Sequence, residues 1–428
     1  MNAVQTLSQA IEQQGGQCFQ VGGALRDELL GLSNKDNDLL VTGLAAQTLL
    51  DILPGKVGQV GLSFEVIKVT LLGETVDVAL PRAGQTLEED LWHRDFTINA
   101  LARNSRGEVI DPTGGLQDLH HRILRMTSPA VFDQDPLRLL RAVRFVAKLG
   151  FDLDEATRAT LIQKVHLLQN VAPERIQEEW WRLLSCSNAD HVLKALRLAR
   201  DTGLLVQVFP EFAPCIGFEQ QNPHHHLTVD EHIFAAVHHA VQHQKSLRTR
   251  LALFFHDIAK PECFSVGADG VGHFYDHEYV GAKTTRQILT RLKCSNDTTL
   301  TVTSLVRNHM RPPLRPSRRA LRKFMNDLGE AWEDALEMRE ADLAAHIVPE
   351  GFDPVAWAVQ IREEGRTMPA VATFDERQLA LSGHAIMEAF GVTGEGVGRL
   401  KKLAVQQVIE GELENDPEAI LQFLRSQV

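Results

Sequence analysis

The sequence has few cysteines and no paired ones. Cys18, Cys186, Cys215, Cys263 and Cys294 are scattered along 428 residues without a CxxC spacing. That argues against a zinc ribbon or a disulfide framework and suits a reducing, cytoplasmic setting. No stretch of about 18 uncharged apolar residues occurs, so no membrane span is expected. The opening MNAVQTLSQAIEQQGG has no basic n-region and no apolar h-region, so no signal peptide is expected. Positive charge is in deficit too, with a formal net charge of −12. Taken alone, this speaks weakly against a nucleic-acid partner, but phosphate contacts need only a local basic surface. One dense basic stretch could supply it: Arg307, Arg311, Arg315, Arg318, Arg319, Arg322 and Lys323. Its plain alternative is a solvated helix face. There is no low-complexity tract and no convincing repeat. What is present is an ordinary globular composition, 44% hydrophobic and 23% charged.

Along the chain, the first part mixes strand and helix signals. QCFQVGG reads as a strand entering a glycine turn, and ALRDELLG as the helix after it. DNDLLVTG, FEVIKVTLLG and ETVDVALP are β-rich runs punctuated by Gly and Pro. From about residue 130 the pattern is helical, as in DPLRLLRAVRFVAKLG, APERIQEEWWRLL and ADHVLKALRLARDTGLL. The expected fold is α+β, a small α/β head with a five-strand type of sheet, followed by a mostly helical neck, body and tail. Expected boundaries are 1–125 for the head, 126–215 for the neck and body, 216–350 for a histidine-rich domain and 351–428 for the tail.

The first constellation that carries chemistry is VGGALRD (21–27) followed by KDNDLL (35–40). Gly22 and Gly23 let the backbone approach a phosphate, the following helix aims N–H groups at it, and Arg26 adds charge. In Asp36-Asn37-Asp38 on a strand, the two carboxylates point to one face and can share divalent ions. Mg²⁺ favours a few carboxylates plus substrate phosphates. Such ions can activate a 3′-hydroxyl and stabilise a leaving pyrophosphate. Asp77 in ETVDVAL is the candidate third carboxylate. Either motif alone is usually a turn or a surface loop; together, on strand–turn–helix–strand patterning, they are more specific. Further on, Asp135 and Arg138 lie three apart and are expected to share a helix face, where a carboxylate and a guanidinium can read a Watson–Crick edge. Arg141 and Arg144 continue that face and suit phosphates, although a solvated stripe is the plain alternative.

At these residues the sequence resembles the class II tRNA nucleotidyltransferases and bacterial poly(A) polymerases. LEEDLWHRDFTINALA (87–102) looks like the family motif that reads the ribose and braces the nucleotide, which places Arg94, Asp95 and Asn99 there. DPTGGLQDL (111–119) looks like the hinge motif, FDQDPLRLLRAVRF (132–145) like the base-reading helix and APERIQEEW (172–180) like the neck motif. Gln134 and His93 depart from the usual Glu and Arg. The resemblance implies tRNA, CTP and ATP as partners and Mg²⁺ in the head. It also implies a long flexible loop before the Arg-Asp motif in members that add all three nucleotides; here only RAGQT stands between ALP and LEEDL. CC-addition, with a separate A-adding enzyme to finish the end, is therefore the favoured reading. Full CCA-addition comes next and poly(A) synthesis last.

The second constellation is His232, His256-Asp257 in FFHDIAKPE, His277, His309 and Asp342. Imidazole and carboxylate are good ligands for Mn²⁺, Ni²⁺, Fe²⁺ or Zn²⁺, and a metal-bound water can attack a phosphate ester. This looks like an HD-domain phosphohydrolase, acting on 2′,3′-cyclic or other small phosphoesters. His224, His225, His226, His238, His239 and His243 are read as surface or core residues. The rival from another class is a metal phosphohydrolase whose head only binds tRNA.

Overall fold

The computed structural model describes residues 2–32, 37–54, 56–60, 66–81, 86–368 and 374–427. Asp36 therefore lies outside the described residues, as does most of RAGQT. The chain divides into two compact units, Met1–Leu183 with Lys194–Val208, and Leu184–Leu193 with Phe209–Val428.

The first unit is built on one mixed sheet. Its strands are β1 (Gln17–Val21), β2 (Asp38–Thr42), β3 (Lys56–Val60), β4 (Val66–Leu71), β5 (Glu74–Ala79), β6 (Ala102–Asn104) and β7 (Val109–Ile110). They run in the order β3-β4-β5-β2-β1-β6-β7. The sheet has seven described strands rather than the five expected. β6 and β7 are so short that their period-2 pattern is hidden inside the Arg-Asp motif and the turn after it. β2 is central, antiparallel to β1 and parallel to β5. Alternation sends Leu39 and Val41 into one apolar cluster and Leu40 into the cluster on the opposite face. Both faces are thus covered, which is why DLLVT is an unbroken apolar run after its first residue.

Two glycines fix the architecture around the site. Gly22 has φ 75°, a left-handed backbone that side chains resist, and it starts helix Gly22–Leu29 directly from β1. Gly115 begins helix Gly115–His121, and a Cβ there would fall 2.2 Å from the Thr97 carbonyl. In the same segment the Asp111 carboxylate accepts from the Gly115 and Leu116 N–H groups at 2.8 and 2.9 Å. The Thr97 hydroxyl donates to Asp118 at 2.7 Å. The DPTGGLQDL run is thus a capped helix start pressed onto the Arg-Asp motif.

In the second unit, helices Val229–Gln242, Leu247–Phe255, Asn296–Asn308 and Trp332–Ala344 pack on one another. Phe209, Phe212, Phe234, Phe254 and Phe255 stack among them. The C-terminal helices enclose their own core, including Leu381, Ile386, Leu400, Ile420 and Leu424. The basic stretch is mostly tied down. Arg311 and Lys323 pair with Asp327, Arg319 with Glu410 and Arg307 with Glu278. The plain alternative fits these four, whose charge is spent on local carboxylates. No described helix is long and apolar enough to cross a membrane.

Candidate active site

In the first unit a polar cavity of about 450 Å³ opens at the β1–helix turn. It is lined by Gly22, Gly23, Arg26, Asp38, Arg94, Asp95, Asn99, Asp135, Arg138, Arg141 and Arg144. The sequence candidates thus converge, apart from Asp36, which is not described, and Asp77, which does not line the cavity. Lys148, Phe145, Leu137 and Arg175 join them.

Asp38 opens β2, and the parallel register sets it beside Asp77 on the neighbouring strand, so the two project from the same face. The Asp77 N–H donates to the Asn37 carbonyl at 2.8 Å. Lys68 stands 3.6 Å from Asp77 on its other flank. A Cβ on Gly22 would lie 3.3 Å from Asp38 Oδ2 and 3.3 Å from Arg94 Nη1. The bare turn is therefore a cradle, wedged between a carboxylate and a guanidinium, that only glycine leaves open. A Mg²⁺–triphosphate, needing carboxylate on one side and backbone plus cation on the other, fits that donor set.

The cations around the cavity are positioned by buried carboxylates. Arg26 is 2% exposed, pairs with Asp27 at 2.6 Å and donates to the Asn99 side-chain oxygen. It braces the helix against the Arg-Asp motif rather than standing as an isolated phosphate charge. Asp95 accepts from the Phe96 N–H and the Asn99 amide, each at 2.9 Å, and pairs with Arg141 at 2.6 Å. Burial pushes the Asp95 carboxyl up, but Arg141 and Asn99 outweigh it and hold it below the ordinary carboxylate range. Arg144 pairs with buried Glu179 and lies over the Phe145 ring at 4.4 Å. Lys148 reaches Asp27 at 2.9 Å.

One expectation needs correction. Asp135 and Arg138 do not share a helix face. Helix Val131–Gln134 ends at Asp135, whose backbone is extended, and a new helix runs from Arg138 to Leu149. Pro136 explains the break, because the residue before a proline is driven out of the helical region. Asp135 Oδ1 accepts from the Leu137 N–H at 3.2 Å, and its other oxygen pairs with Arg175 at 2.9 Å. Both Asp135 and Arg138 still line the one cavity.

The second unit holds a buried histidine–aspartate centre, and all six predicted residues meet in it. His232, His256, Asp257 and Asp342 can each bring one ligand atom within 4.8 Å of the others, as can Asp257, His277 and His309. Asp257 belongs to both groups. His232 Nε2 is 3.1 Å from Asp342 Oδ1 and 3.3 Å from Asp257 Oδ2. His277 Nε2 is 3.0 Å from His309 Nε2 and 3.4 Å from Asp257 Oδ1. The Nδ1 atoms of His256, His277 and His309 each lie 2.7 Å from the carbonyl three residues earlier. An Nδ1–H donor there leaves Nε2 with its lone pair toward the centre.

Both Asp257 oxygens are buried, and they face the His232, His256 and His277 rings and the Lys260 ammonium, the last at 2.7 Å from Oδ2. A carboxylate so buried is costly unless cations face it. Burial raises its carboxyl, yet His256 and Lys260 hold it well below the usual range. Burial lowers His256, but Asp257 and Asp342 lift it to about 10. Burial together with His277 pushes His309 down to about 3. The donor set, with four imidazoles and a carboxylate common to two groups, fits one or two divalent transition ions. Lys260, Arg339 and His346 were not predicted. Each stands three or four residues from a predicted aspartate, a spacing that was available as a signal. His225, read as a bystander, lines the same cavity and stacks edge-on against His346 at 4.4 Å.

Three family models match in sequence: the Poly A polymerase head domain over residues 18–125, the probable RNA and SrmB-binding site of polymerase A over 150–216, and the HD domain over 229–349. The A-adding tRNA nucleotidyltransferase of Deinococcus radiodurans is 33% identical over 414 residues, covering 93% of each chain. The chain belongs to the tRNA nucleotidyltransferase family. A Multifunctional CCA protein of Azoarcus sp. is 35% identical over 68% of this chain and 73% of its own. Among solved structures, the Bacillus stearothermophilus CCA-adding enzyme in complex with CTP superposes with a TM-score of 0.73 at 26% identity, covering 100% of this chain and 98% of that one. The Thermotoga maritima CCA-adding enzyme complexed with tRNA, at 20% identity, 99% and 94% coverage and a TM-score of 0.61, shares the fold. The chain is thus an enzyme of template-independent nucleotide addition to the tRNA 3′ end, and its head and HD domain imply dependence on divalent metal.

Proposed function

We propose that this tRNA nucleotidyltransferase adds the two cytidines of the tRNA terminus from CTP, with Mg²⁺ held by Asp36 and Asp38 and with Asp77 as the supporting carboxylate. The observation that carries the head assignment is the Gly22 turn, left open between Asp38 and Arg94. Held by these carboxylates, Mg²⁺ would lower the pKa of the attacking hydroxyl and neutralise charge on the triphosphate. The tRNA 3′-oxygen forms a bond to the α-phosphate of CTP, and the bond to the β-phosphate oxygen breaks to release pyrophosphate. The Gly22-Gly23 N–H groups and Arg94 hold the phosphates. Asp95 and Asn99 hold the ribose edge. Asp135 and Arg138, set in place by Arg175 and the Pro136 break, present an acceptor and donors to the base. Arg141, Arg144 and Lys148 make the wall cationic while their buried carboxylate partners keep them in place.

The cytidine preference rests on the short linker. β5 ends at Ala79 and the next helix starts at Leu87, which leaves no room for the long loop linked to ATP use in the family. The printed name of the Deinococcus relative, an A-adding enzyme, favours a second reading in which ATP is used on ends that already carry CC. Transcripts ending before CCA, and transcripts ending in CC, are incubated with Mg²⁺ and labelled CTP or ATP. CC-addition predicts label from CTP on the first transcript alone. Label from ATP on the second would replace it with A-addition, label from both with CCA-addition, and long A tails with a polymerase.

The histidine–aspartate centre supports a second activity on the same chain, metal-dependent hydrolysis of 2′,3′-cyclic or other small phosphoesters. The Asp257 carboxylate, common to both groups of potential ligand atoms, carries this reading. Ester hydrolysis that follows bound Mn²⁺ or Ni²⁺ and disappears in His309→Ala supports it. Hydrolysis unaffected by that variant contradicts it.

A further inference from the structure

The cavity over the histidine–aspartate centre, about 640 Å³, has two unlike ends. Its floor is ionic, with Asp257, His277, His309 and Asp342. Its rim is apolar and open, with Tyr275, Met310, Leu314 and Ile347 all exposed. Tyr275 is 70% exposed, and its ring lies against the His273 imidazole with centroids 5.3 Å and planes 13° apart. A flat aromatic pair therefore stands at the mouth, with the Tyr275 ring exposed and half-buried His273 behind it.

The backbone that carries the pair is anchored. His273 sits on the second strand of the hairpin Phe264–Val266 and Gly272–Phe274. The Gly272 N–H donates to the Gln221 carbonyl at 2.7 Å, and the Asn222 amide donates to the Gly272 carbonyl at 3.0 Å. A Cβ on Gly272 would fall 2.4 Å from the Gln220 carbonyl, so the hairpin lies flush on that segment. After Tyr275 the chain turns through Asp276 (φ 62°) directly into the helix that starts with His277. The aromatic platform and a ligand of the centre are thus two residues apart on one continuous, anchored segment.

We propose that Tyr275, backed by His273, is a nucleobase subsite: the phosphate of a ribonucleotide ester faces the histidine–aspartate floor while its base stacks on the Tyr275 ring. This inference rests on the phosphohydrolase reading of the centre. A floor that takes an anion once a divalent ion covers Asp257 and Asp342, and a rim that takes a flat apolar group, together describe a nucleotide rather than a bare phosphate or a sugar phosphate. The volume also lies inside the range of roughly 300–1,000 Å³ usual for small-molecule sites. Stacking on an aromatic side chain is tolerant of base identity, so the subsite selects for the presence of a base and little for which base.

The test uses the full chain loaded with Mn²⁺. kcat and KM are measured for adenosine 2′,3′-cyclic phosphate and for glycerol 1,2-cyclic phosphate, which has no base. Tyr275→Ala is expected to raise KM for the nucleotide roughly tenfold, the scale of one lost base stack, while kcat and the base-free ester stay within about twofold. Tyr275→Phe keeps the ring and should retain the wild-type KM. In parallel, calorimetry follows adenosine 2′-monophosphate, counting only the binding that His277→Ala removes, so that binding to the head is excluded. That affinity should also fall roughly tenfold in Tyr275→Ala and hold in Tyr275→Phe. Equal KM changes for both esters, or a nucleotide affinity untouched by Tyr275→Ala, would overturn the subsite. If the wild type hydrolyses neither ester, the hydrolase reading falls, and the nucleotide-binding arm decides the subsite by itself.

Discussion

The head cavity and the histidine–aspartate centre each have the side chains to hold divalent metal, and they are built in opposite ways. The head is open and cationic. Its arginines are kept in place by buried carboxylates behind them, Asp95 for Arg141 and Glu179 for Arg144. Metal there needs few protein ligands, because the substrate triphosphate brings its own oxygens. The second centre is buried and self-sufficient in ligands, with the rings of His232 and His256 fully shielded from solvent. The difference teaches that a divalent ion in the head would arrive with the nucleotide, whereas an ion in the other centre would be held by the fold and would face the buried Asp257 carboxylate.

The comparison is broken most easily by crossed substitutions. Asp38→Ala should lower nucleotide incorporation by at least about a thousandfold, on the order of 4 kcal/mol of transition-state stabilisation, and leave ester hydrolysis intact. His309→Ala should do the reverse. Parallel assays of both activities on each variant check this, and loss of both activities in either variant would show that the centres are not independent.

Chelation sharpens the second half. Removing the ion from the histidine–aspartate centre should destabilise that unit by about 3 kcal/mol when the ion is held well above its dissociation constant, with little effect of added or removed Mg²⁺ on the head. The metal-free centre carries a proton on His256, whose pKa is raised to about 10. A raised folded-state value stabilises fully below about 6.5 and is lost as pH rises toward 10. Metal-free protein should therefore lose stability across that window, and metal binding near neutral pH should release about one proton. Calorimetry in buffers of different ionisation enthalpy measures it; binding without proton release would contradict the assignment.

Asp95→Asn tests the bracing in the head. It leaves Arg141 facing a neutral group in a buried setting, and a loss of about 2 kcal/mol in denaturant unfolding of the first unit is expected, together with a raised KM for CTP. Acid should act in the same sense. A carboxyl held below its ordinary range contributes stability above the unfolded value, lost as pH falls through the folded one. The smallest effect is expected for Arg175→Ala. Its pair with Asp135 is half-exposed, so KM for CTP should rise only a few fold with kcat unchanged. A large kcat effect would mean that Arg175 touches the reacting phosphates.

Much of this was legible in the sequence because it is local. The glycine turn and the Arg-Asp motif each carry their geometry within a few residues, and strand alternation then aims Asp38 into the turn. The six residues of the second centre could be named by residue type, but their grouping around a common Asp257 depends on five helices meeting, which no spacing encodes. Residues that act through long-range pairs escaped for the same reason. Glu179 meets Arg144 from 35 positions away, and Arg175 meets Asp135 from 40. The placement of Asp135 and Arg138 on one helix was a local error, since Pro136 forbids the continuous helix that the three-residue spacing assumed.

The central claim is that Asp38 holds metal where the triphosphate meets the Gly22 turn. Mn²⁺ electron paramagnetic resonance, with a non-transferable CTP analogue added to the full chain, tests it directly. A Mn²⁺ population should appear only with the analogue, show coupling to its phosphorus nuclei and vanish in Asp38→Ala while the histidine-bound population stays. A phosphorus-coupled signal that survives Asp38→Ala would contradict it.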